Sequence, residues 1–222
     1  MKRNQCHVGI TLLFLIAAGA QGASAQSAQV IRGDAAGTIG WLAADTHSHS
    51  AGPYERNNWF DSFFSSVSTG WHWTDNLKTE VDFGVGTESR EFHTQPVTIA
   101  GRSTYQTIES RFKRRTIGFS QQYQFLHNVW FHPHVAAGLN VTWERRRDDP
   151  SVIYLYDPGT GTSRYEPPKP GTEQKSWTAN PFVAIGYKAY MSDRVFFRND
   201  FRLAFRGGID ETTLRIGLGF DF

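Results

Sequence analysis

The feature that most constrains this chain is a period-two alternation of apolar and polar residues. In the segment 129–144, most odd positions are apolar and end in Trp143, whereas most even positions are polar or small. Successive side chains of a β-strand point to opposite faces, so this pattern predicts a strand with one apolar and one polar face. Five further segments alternate in the same way and begin at Leu77, Thr116, Trp177, Val195 and Leu214. The chain is therefore predicted to be all-β.

The predicted strands are joined by connections that alternate between short and long. The short ones are 74–76, 126–128 and 191–194, and the long ones are about 93–105 and 146–176, which are rich in Gly, Pro and charge. A weaker alternating segment runs from Trp59 to Trp73, and parity then requires one more strand before it, for which 38–48 is the candidate. These segments predict a single antiparallel up-and-down barrel of eight strands.

The N-terminus has the pattern of a secretory signal peptide. Lys2 and Arg3 precede an apolar run over 8–20, and the small residues 23–25 follow it. This run of 13 residues is shorter than the roughly 20 that a membrane-spanning helix needs. We expect a cleaved signal peptide over 1–25 and one barrel domain over 26–222. The only cysteine, Cys6, lies in the predicted signal peptide, so no disulfide is expected in the domain.

Alternation alone does not say which face is outside, and a soluble lipocalin-like barrel would turn its apolar face inward. The positions of the aromatic residues favour a membrane: Trp71 and Tyr123 lie near short connections, while Trp143 and Trp177 flank the longest loop. The 12 residues from Phe131 to Trp143 correspond to roughly 30 Å of tilted strand, close to the apolar band of about 25 Å between the aromatic girdles of transmembrane barrels. A mean hydropathy of −0.45 also fits a barrel with one polar face better than a bundle of membrane helices.

The polar face carries six basic and six acidic residues that we predict to form ion pairs inside the barrel. An eight-stranded barrel has an interior just wide enough for side chains, and an isolated buried charge would be prohibitively costly. A narrow porin-like channel is the alternative to a filled lumen. The predicted lumen residues are Lys78, Glu80, Asp82, Glu88, Arg114, Glu144, Lys188, Arg198, Asp200, Arg202, Arg215 and Asp221.

The C-terminal segment 214–222, Leu-Arg-Ile-Gly-Leu-Gly-Phe-Asp-Phe, resembles the terminal strand of the small outer-membrane β-barrel superfamily. That superfamily includes the OmpA membrane domain and OmpW-like proteins, and the resemblance extends to the predicted signal peptide and the strand number. It implies a location in the bacterial outer membrane, as a monomer. It also implies that Leu218, Phe220 and Phe222 form the signal read by the barrel-assembly machinery, but it specifies no activity.

Two basic clusters lie near the predicted outer ends of adjacent strands. Guanidinium groups bind phosphate in bidentate fashion, and the outer leaflet presents phosphorylated lipopolysaccharide at this height. We expect these clusters to contact lipopolysaccharide phosphates, the alternative being a rim that merely keeps the loops solvated. The residues are Arg111, Lys113, Arg115, Arg145, Arg146 and Arg147.

Three other classes of function have weaker support in the sequence. A lipid-modifying hydrolase would need catalytic residues, for which His47, Ser48, His49, His93 and Asp148-Asp149 are available, but no G-x-S-x-G motif is present. His132, His134 and His72 offer imidazoles without a recognisable metal motif, so we expect no metal and no cofactor. Nucleic-acid binding gains no support from charge, because removing Lys2 and Arg3 leaves 21 basic against 21 acidic residues.

The sequence thus predicts a non-enzymatic surface barrel. Its expected interaction element is the loop 146–176, which holds Tyr154, Tyr156, Tyr165 and five prolines. Whether its role is structural, adhesive or ligand-binding stays open at this level.

Overall fold

The computed structural model describes residues 33–45, 59–99, 101–125, 130–157 and 162–222. These residues are all-β, and among them no helix is long and apolar enough to cross a membrane. The strands are β1 Gly33–Asp45, β2 Trp59–His72, β3 Leu77–Gly86, β4 Ser89–Ile99, β5 Arg102–Gln124, β6 Phe131–Pro150, β7 Ile153–Asp157, β8 Thr162–Glu166, β9 Thr172–Tyr190, β10 Val195–Phe205 and β11 Ile209–Asp221.

The strands close into an antiparallel up-and-down barrel. The sheet order is β3-β2-β1-β11-β10-β9-β6-β5-β4, and β3 also pairs with β5 to complete the ring. Both β3 and β4 pair with β5 along successive parts of its length, so together they form one barrel strand interrupted at Thr87 and Glu88. The barrel thus has eight strands, as predicted, and β7 pairs only with β8 as a separate hairpin.

The register of the strands defines how strongly they tilt. Following directly paired residues around the ring from Trp143 leads back to Pro133 on the same strand, a displacement of ten residues. Such a stagger belongs to a barrel whose strands tilt by about 35–45°. The intermediate residues are Arg115, Val85, Ser65, Ile39, Ile216, Asn199 and Tyr187.

The two faces of the barrel differ as the alternation predicts. The inward-pointing residues are largely buried. They are the even-numbered residues of β1, β2, β3, β5, β6, β9 and β10 and the odd-numbered residues of β11. The outward face is apolar; Leu139, near the middle of β6, has 50% of its side chain exposed. At one end of this belt the ring of Tyr187 lies 5.2 Å from that of Phe131 and 6.2 Å from that of Phe197. At the other end Trp143 pairs with Trp177 on the neighbouring strand. An apolar outer belt between two aromatic girdles places the barrel in a bilayer.

Three of the predicted segments are corrected by the structure. The expected loops 93–105 and 146–176 are largely strands, because β4, β5, β6 and β9 continue past the Trp143–Trp177 girdle and satisfy one another's backbone hydrogen bonds. The first strand spans 33–45 rather than 38–48, since β1 pairs with β11 from Asp34 onward. Residues 46–48 of the predicted strand lie outside the described residues.

Replacing Leu139 by arginine tests the outward orientation of the belt. An arginine near the bilayer midplane costs about 2–4 kcal/mol, so the free energy of unfolding in lipid vesicles should fall by that amount. Urea titration followed by tryptophan fluorescence measures it. The matched control is Thr107→Arg on the exposed outer part of β5, which should have little effect. Equal effects of the two substitutions would show that Leu139 does not face lipid.

Candidate functional site

The inner face of the barrel is filled by one continuous chain of ion pairs. Each link joins an acidic to a basic side chain, and each of the ten side chains is buried. In order, the chain runs Asp221, Lys188, Asp34, Lys78, Glu80, Arg198, Asp200, Arg215, Asp82 and Arg202. These residues come from β1, β3, β9, β10 and β11, so the chain ties together strands that are far apart in sequence.

The links have the geometry of charge-assisted hydrogen bonds. Glu80 accepts two hydrogen bonds from Arg198, at 2.7 and 2.8 Å, and a third from Lys78 Nζ at 2.6 Å. Asp34 accepts from Lys188 and, at 2.9 Å, from Lys78, while Asp200 accepts from Arg198 at 2.9 Å and Arg215 at 2.7 Å. Such bonds are about twice as strong as neutral ones, which helps offset the desolvation of the charges.

Glycines on the inner face make room for these long side chains. A Cβ atom at Gly118 would lie 2.3 Å from Asp82 Oδ2, and one at Gly70 would lie 2.6 Å from Asp34 Oδ1. Any larger residue at either position would displace a carboxylate from its cationic partner. The glycines that alternate with charged residues in the sequence therefore serve the packing of the lumen.

Transmembrane barrels have short periplasmic turns and longer extracellular connections, so the end at which β5, β6 and β9 extend beyond Trp143 and Trp177 is the extracellular end. There the lumen has a different, partly apolar filling. The rings of Phe60 and Phe112 are stacked 4.8 Å apart, with the Arg114 guanidinium over one outer face and that of Arg146 over the other, each at 5.4 Å. Leu42, Ala44 and Phe64 pack in the same buried cluster. Two guanidinium groups and two rings thus form a four-layer stack across the mouth.

The Arg114 side chain also joins this stack to a second group of charges. Its two terminal nitrogens donate to Glu144 at 2.8 Å and to Glu211 at 2.7 Å. The pairing of β10 with β11 shifts register between Ala204 and Phe205, and Asp210 and Glu211 are both buried despite being adjacent in sequence. A β-bulge of this kind re-aims side chains, here toward the lumen.

The structure places eleven of the twelve predicted lumen residues inside the barrel. Glu88 is the exception: it lies in the break between β3 and β4, largely exposed, with Arg90 Nε 3.6 Å from its carboxylate. Sequence reasoning missed Asp34, which lies before the predicted first strand, and Glu211, which breaks the alternation at the bulge. The predicted lumen set was already balanced at six basic and six acidic residues, so its charge gave no signal for either acid.

Outside the barrel, five of the six predicted phosphate contacts share one outward face. We call the strand segments beyond the Trp143–Trp177 girdle the extracellular sheet: β4 with residues 102–114, 144–150 and 172–176. Arg146 points to its inner face, over Phe112, and so does not join the other five.

The outward cations lie at three levels. Arg115 is level with Trp143; Lys113, Arg145 and Lys175 form a lower row; Arg90, Arg111 and Arg147 form an upper row.

The two rows differ in how well their charges are neutralised within the chain. In the upper row, Arg111 donates to Glu109 at 2.9 and 3.1 Å, and Arg147 donates to Asp149 at 3.0 Å. The hydrogen bonds from Arg111 hold the pKa of Glu109 below its usual value, so this carboxylate stays charged.

In the lower row, Arg145 and Lys175 share the single carboxylate of Glu173, whose pKa is also lowered by the hydrogen bond from Arg145. Within the described part of the chain, neither Lys113 nor Arg115 has a carboxylate within 4.0 Å. Excess positive charge is therefore concentrated directly above the tryptophan girdle.

Among the residues that the structure describes, the candidate hydrolase residues do not assemble into a nucleophile with its base. The hydroxyl of Ser110 donates to Asp148 at 2.6 Å and lies 3.4 Å from His93 Nδ1, so its proton is held by a carboxylate rather than by the imidazole that would activate it. Asp148 also accepts from Arg146. Residues 47–49 lie outside the described residues.

The three histidines that the sequence offers as possible metal ligands contact different partners. His134 is buried in the lumen, His72 Nε2 lies 3.4 Å from Asp34, and the His132 ring contacts that of Tyr190. No group of three or more potential metal ligands occurs among the residues that the structure describes.

Comparison with known proteins identifies the fold. No protein-family model and no curated protein matches the chain. Neisserial surface protein A is 14% identical, with a TM-score of 0.52 over 87% of this chain and 98% of that one. The N-terminal β-barrel domain of Pseudomonas aeruginosa OprF is 12% identical over 85% and 97%, with a TM-score of 0.46. Ail of Yersinia pestis is 9% identical over 86% and 99%, also at 0.46. The chain thus has the fold of the first of these, a small outer-membrane barrel.

Substituting Glu80 by glutamine tests how far the barrel depends on its ion-pair chain. The change leaves Arg198 and Lys78 buried with a neutral partner, and breaking a buried pair costs about 3–5 kcal/mol. The free energy of unfolding in lipid vesicles should fall by about this amount. Glu173→Gln, which removes an exposed carboxylate, is the control and should change stability little. Full stability of Glu80→Gln would mean that the lumen charges do not hold the barrel together.

Proposed function

We propose that this outer-membrane barrel is a non-enzymatic cell-surface protein that holds lipopolysaccharide phosphates against its extracellular sheet. The proposal is carried by the height of the cations that lack full neutralisation. Arg115 is level with Trp143, and the lower cationic row lies two residues farther from the membrane. Tryptophans mark the boundary of the hydrocarbon region, and the lipid head groups begin there. The excess positive charge therefore lies at the height of the phosphates of the outer leaflet.

The cations of the lower row lie opposite one another on adjacent strands, which explains why an external anion would stabilise them. Lys113 lies directly opposite Arg145, and Arg145 directly opposite Lys175 on the next strand. Directly opposed side chains on adjacent strands have Cβ atoms about 4.5–5.5 Å apart, and like charges in such positions are destabilising. A phosphate between them removes the repulsion, since it accepts charge-assisted hydrogen bonds from several donors at once.

The filled lumen supports a role on the outside of the barrel. The ion-pair chain occupies the inner face, and the stack of Phe60 and Phe112 lies across the extracellular mouth. Side chains that are paired in this way would have to separate before a solute could pass. The filled lumen therefore supports binding at the cell surface better than it supports transport through the barrel.

The surface role extends to the segments farthest from the membrane. The extracellular sheet and the β7–β8 hairpin, which replace the loop expected over 146–176, give the protein a structured surface. In this proposal the sheet anchors the neighbouring lipid, and the hairpin is available for adhesive contacts.

The C-terminal strand fits the proposed assembly signal. Leu218, Phe220 and Phe222 all face outward and are more than half exposed. Phe222 exchanges two backbone hydrogen bonds with Gly33 at the seam between the first and last strands. We propose that these apolar side chains are read by the barrel-assembly machinery before the seam closes.

The division of the cations into two groups provides a matched test of phosphate binding. Lys113→Gln with Arg115→Gln removes two outward cations that have no carboxylate within 4.0 Å among the described residues, so it should sharply reduce the lipopolysaccharide that co-purifies with the folded barrel. Arg111→Gln with Arg147→Gln removes the same formal charge from pairs already neutralised by Glu109 and Asp149, and retention should change much less. Phosphate analysis of the purified protein, with heat-modifiable gel mobility as the measure of folding, reads out both variants.

Two results would contradict the proposal. Unchanged retention in the folded Lys113/Arg115 variant would leave these cations as a solvated rim. Equal losses in both variants would show that only net charge matters and that the lower row is not a site.

A further inference from the structure

The outward face of the extracellular sheet continues beyond its cationic rows into an aromatic surface. Phe92 on β4 is 67% exposed, and Tyr105 on β5 is 70% exposed. Between their levels Thr94 pairs with Thr107, and Pro96 lies directly opposite Tyr105. We call these five residues the aromatic surface. Two large exposed rings are unusual for a part of the protein that the girdles place outside the membrane.

The aromatic surface lies above the level of the lipid phosphates. Phe92 pairs with Glu109, which is six residues from Arg115, and Tyr105 is ten residues from it. At about 3.3 Å per residue these separations are about 20 and 33 Å along the strand. The head-group region extends only about 5–8 Å beyond the hydrocarbon on each side. Even with the tilt of the strands, these rings meet whatever lies outside the phosphates.

The residues of this face suit a phosphorylated sugar. The electron-rich faces of Phe92 and Tyr105 can stack on the C–H bonds of a sugar ring, while the threonine hydroxyls can both donate and accept hydrogen bonds. Immediately below, the exposed Arg90 side chain offers its guanidinium group to a phosphate or carboxylate substituent. A flat β-sheet face with rings, hydroxyls and cations in this order matches an anionic oligosaccharide.

We infer that the aromatic surface binds the anionic core oligosaccharide of the same lipopolysaccharide molecule whose phosphates lie at the lower row. This inference rests on the proposed function. A lipid held by Lys113 and Arg115 carries its sugars upward along the sheet, past the upper row to Phe92 and Tyr105. Tethering by the first contact gives the second a high effective concentration, so modest stacking energies are sufficient.

Binding of two purified lipids to the folded barrel in detergent separates this inference from the proposed function. The probes are lipopolysaccharide with a complete phosphorylated core and lipid A alone. Phe92→Ser with Tyr105→Ser should weaken binding of the core-bearing lipid on the order of tenfold and leave lipid A unchanged. Met191→Ser, which removes an exposed apolar side chain at the opposite end of the barrel, should affect neither.

Each contrary result has a distinct meaning. If the aromatic variant binds both lipids as tightly as the unmodified protein, or loses affinity equally for both, the inference is overturned. In that case a loss of both lipids in the Lys113→Gln/Arg115→Gln variant would still uphold the phosphate site. If that second variant keeps full affinity for lipid A, the proposed function itself fails, and the oligosaccharide inference falls with it.

Discussion

Five carboxylates and five cationic side chains lie in an unbroken alternating chain inside a barrel that has room for little else. Burying any one of these charges alone would be prohibitively costly, so each is tolerated because a partner of opposite charge lies beside it, and the eight inner members of the chain have two such partners. The chain links the first strand to the last through Asp34 and Asp221, which share Lys188. The ion pairs that neutralise the lumen therefore also join the first and last strands, whose pairing closes the barrel.

The alternation of the sequence predicts most of this barrel because it follows directly from the geometry of a strand. Glu80, Asp82, Arg198 and Arg202 have the parity of the polar face, and the structure buries all four. The first strand is harder to predict because it is pressed against β11: a Cβ atom at Gly40 would lie 1.8 Å from the carbonyl oxygen of Leu214. Small residues replace the apolar ones there, so the periodic signal that would have revealed Asp34 is weak.

The extracellular sheet was beyond sequence reasoning for a different reason. Above the girdle neither face is in lipid, so the outward positions carry Arg, Lys, Glu and Thr and the contrast between the two faces disappears. The positions of these segments are set mainly by strand pairing, and pairing partners are not visible in a single sequence. The opposition of Lys113 to Arg145, and the separation of Arg146 from the other cations, depend on that register. The identity of the basic residues was predictable, but their division into neutralised and excess charge was not.

Conductance through a planar lipid bilayer tests most directly whether paired side chains fill the lumen. A barrel closed by the ion-pair chain and by the stack of Phe60 and Phe112 should insert without producing a steady current at moderate voltage and neutral pH. A stable, large single-channel current from the folded protein would contradict this. It would mean that the charged residues line a water-filled pore instead of neutralising one another across it.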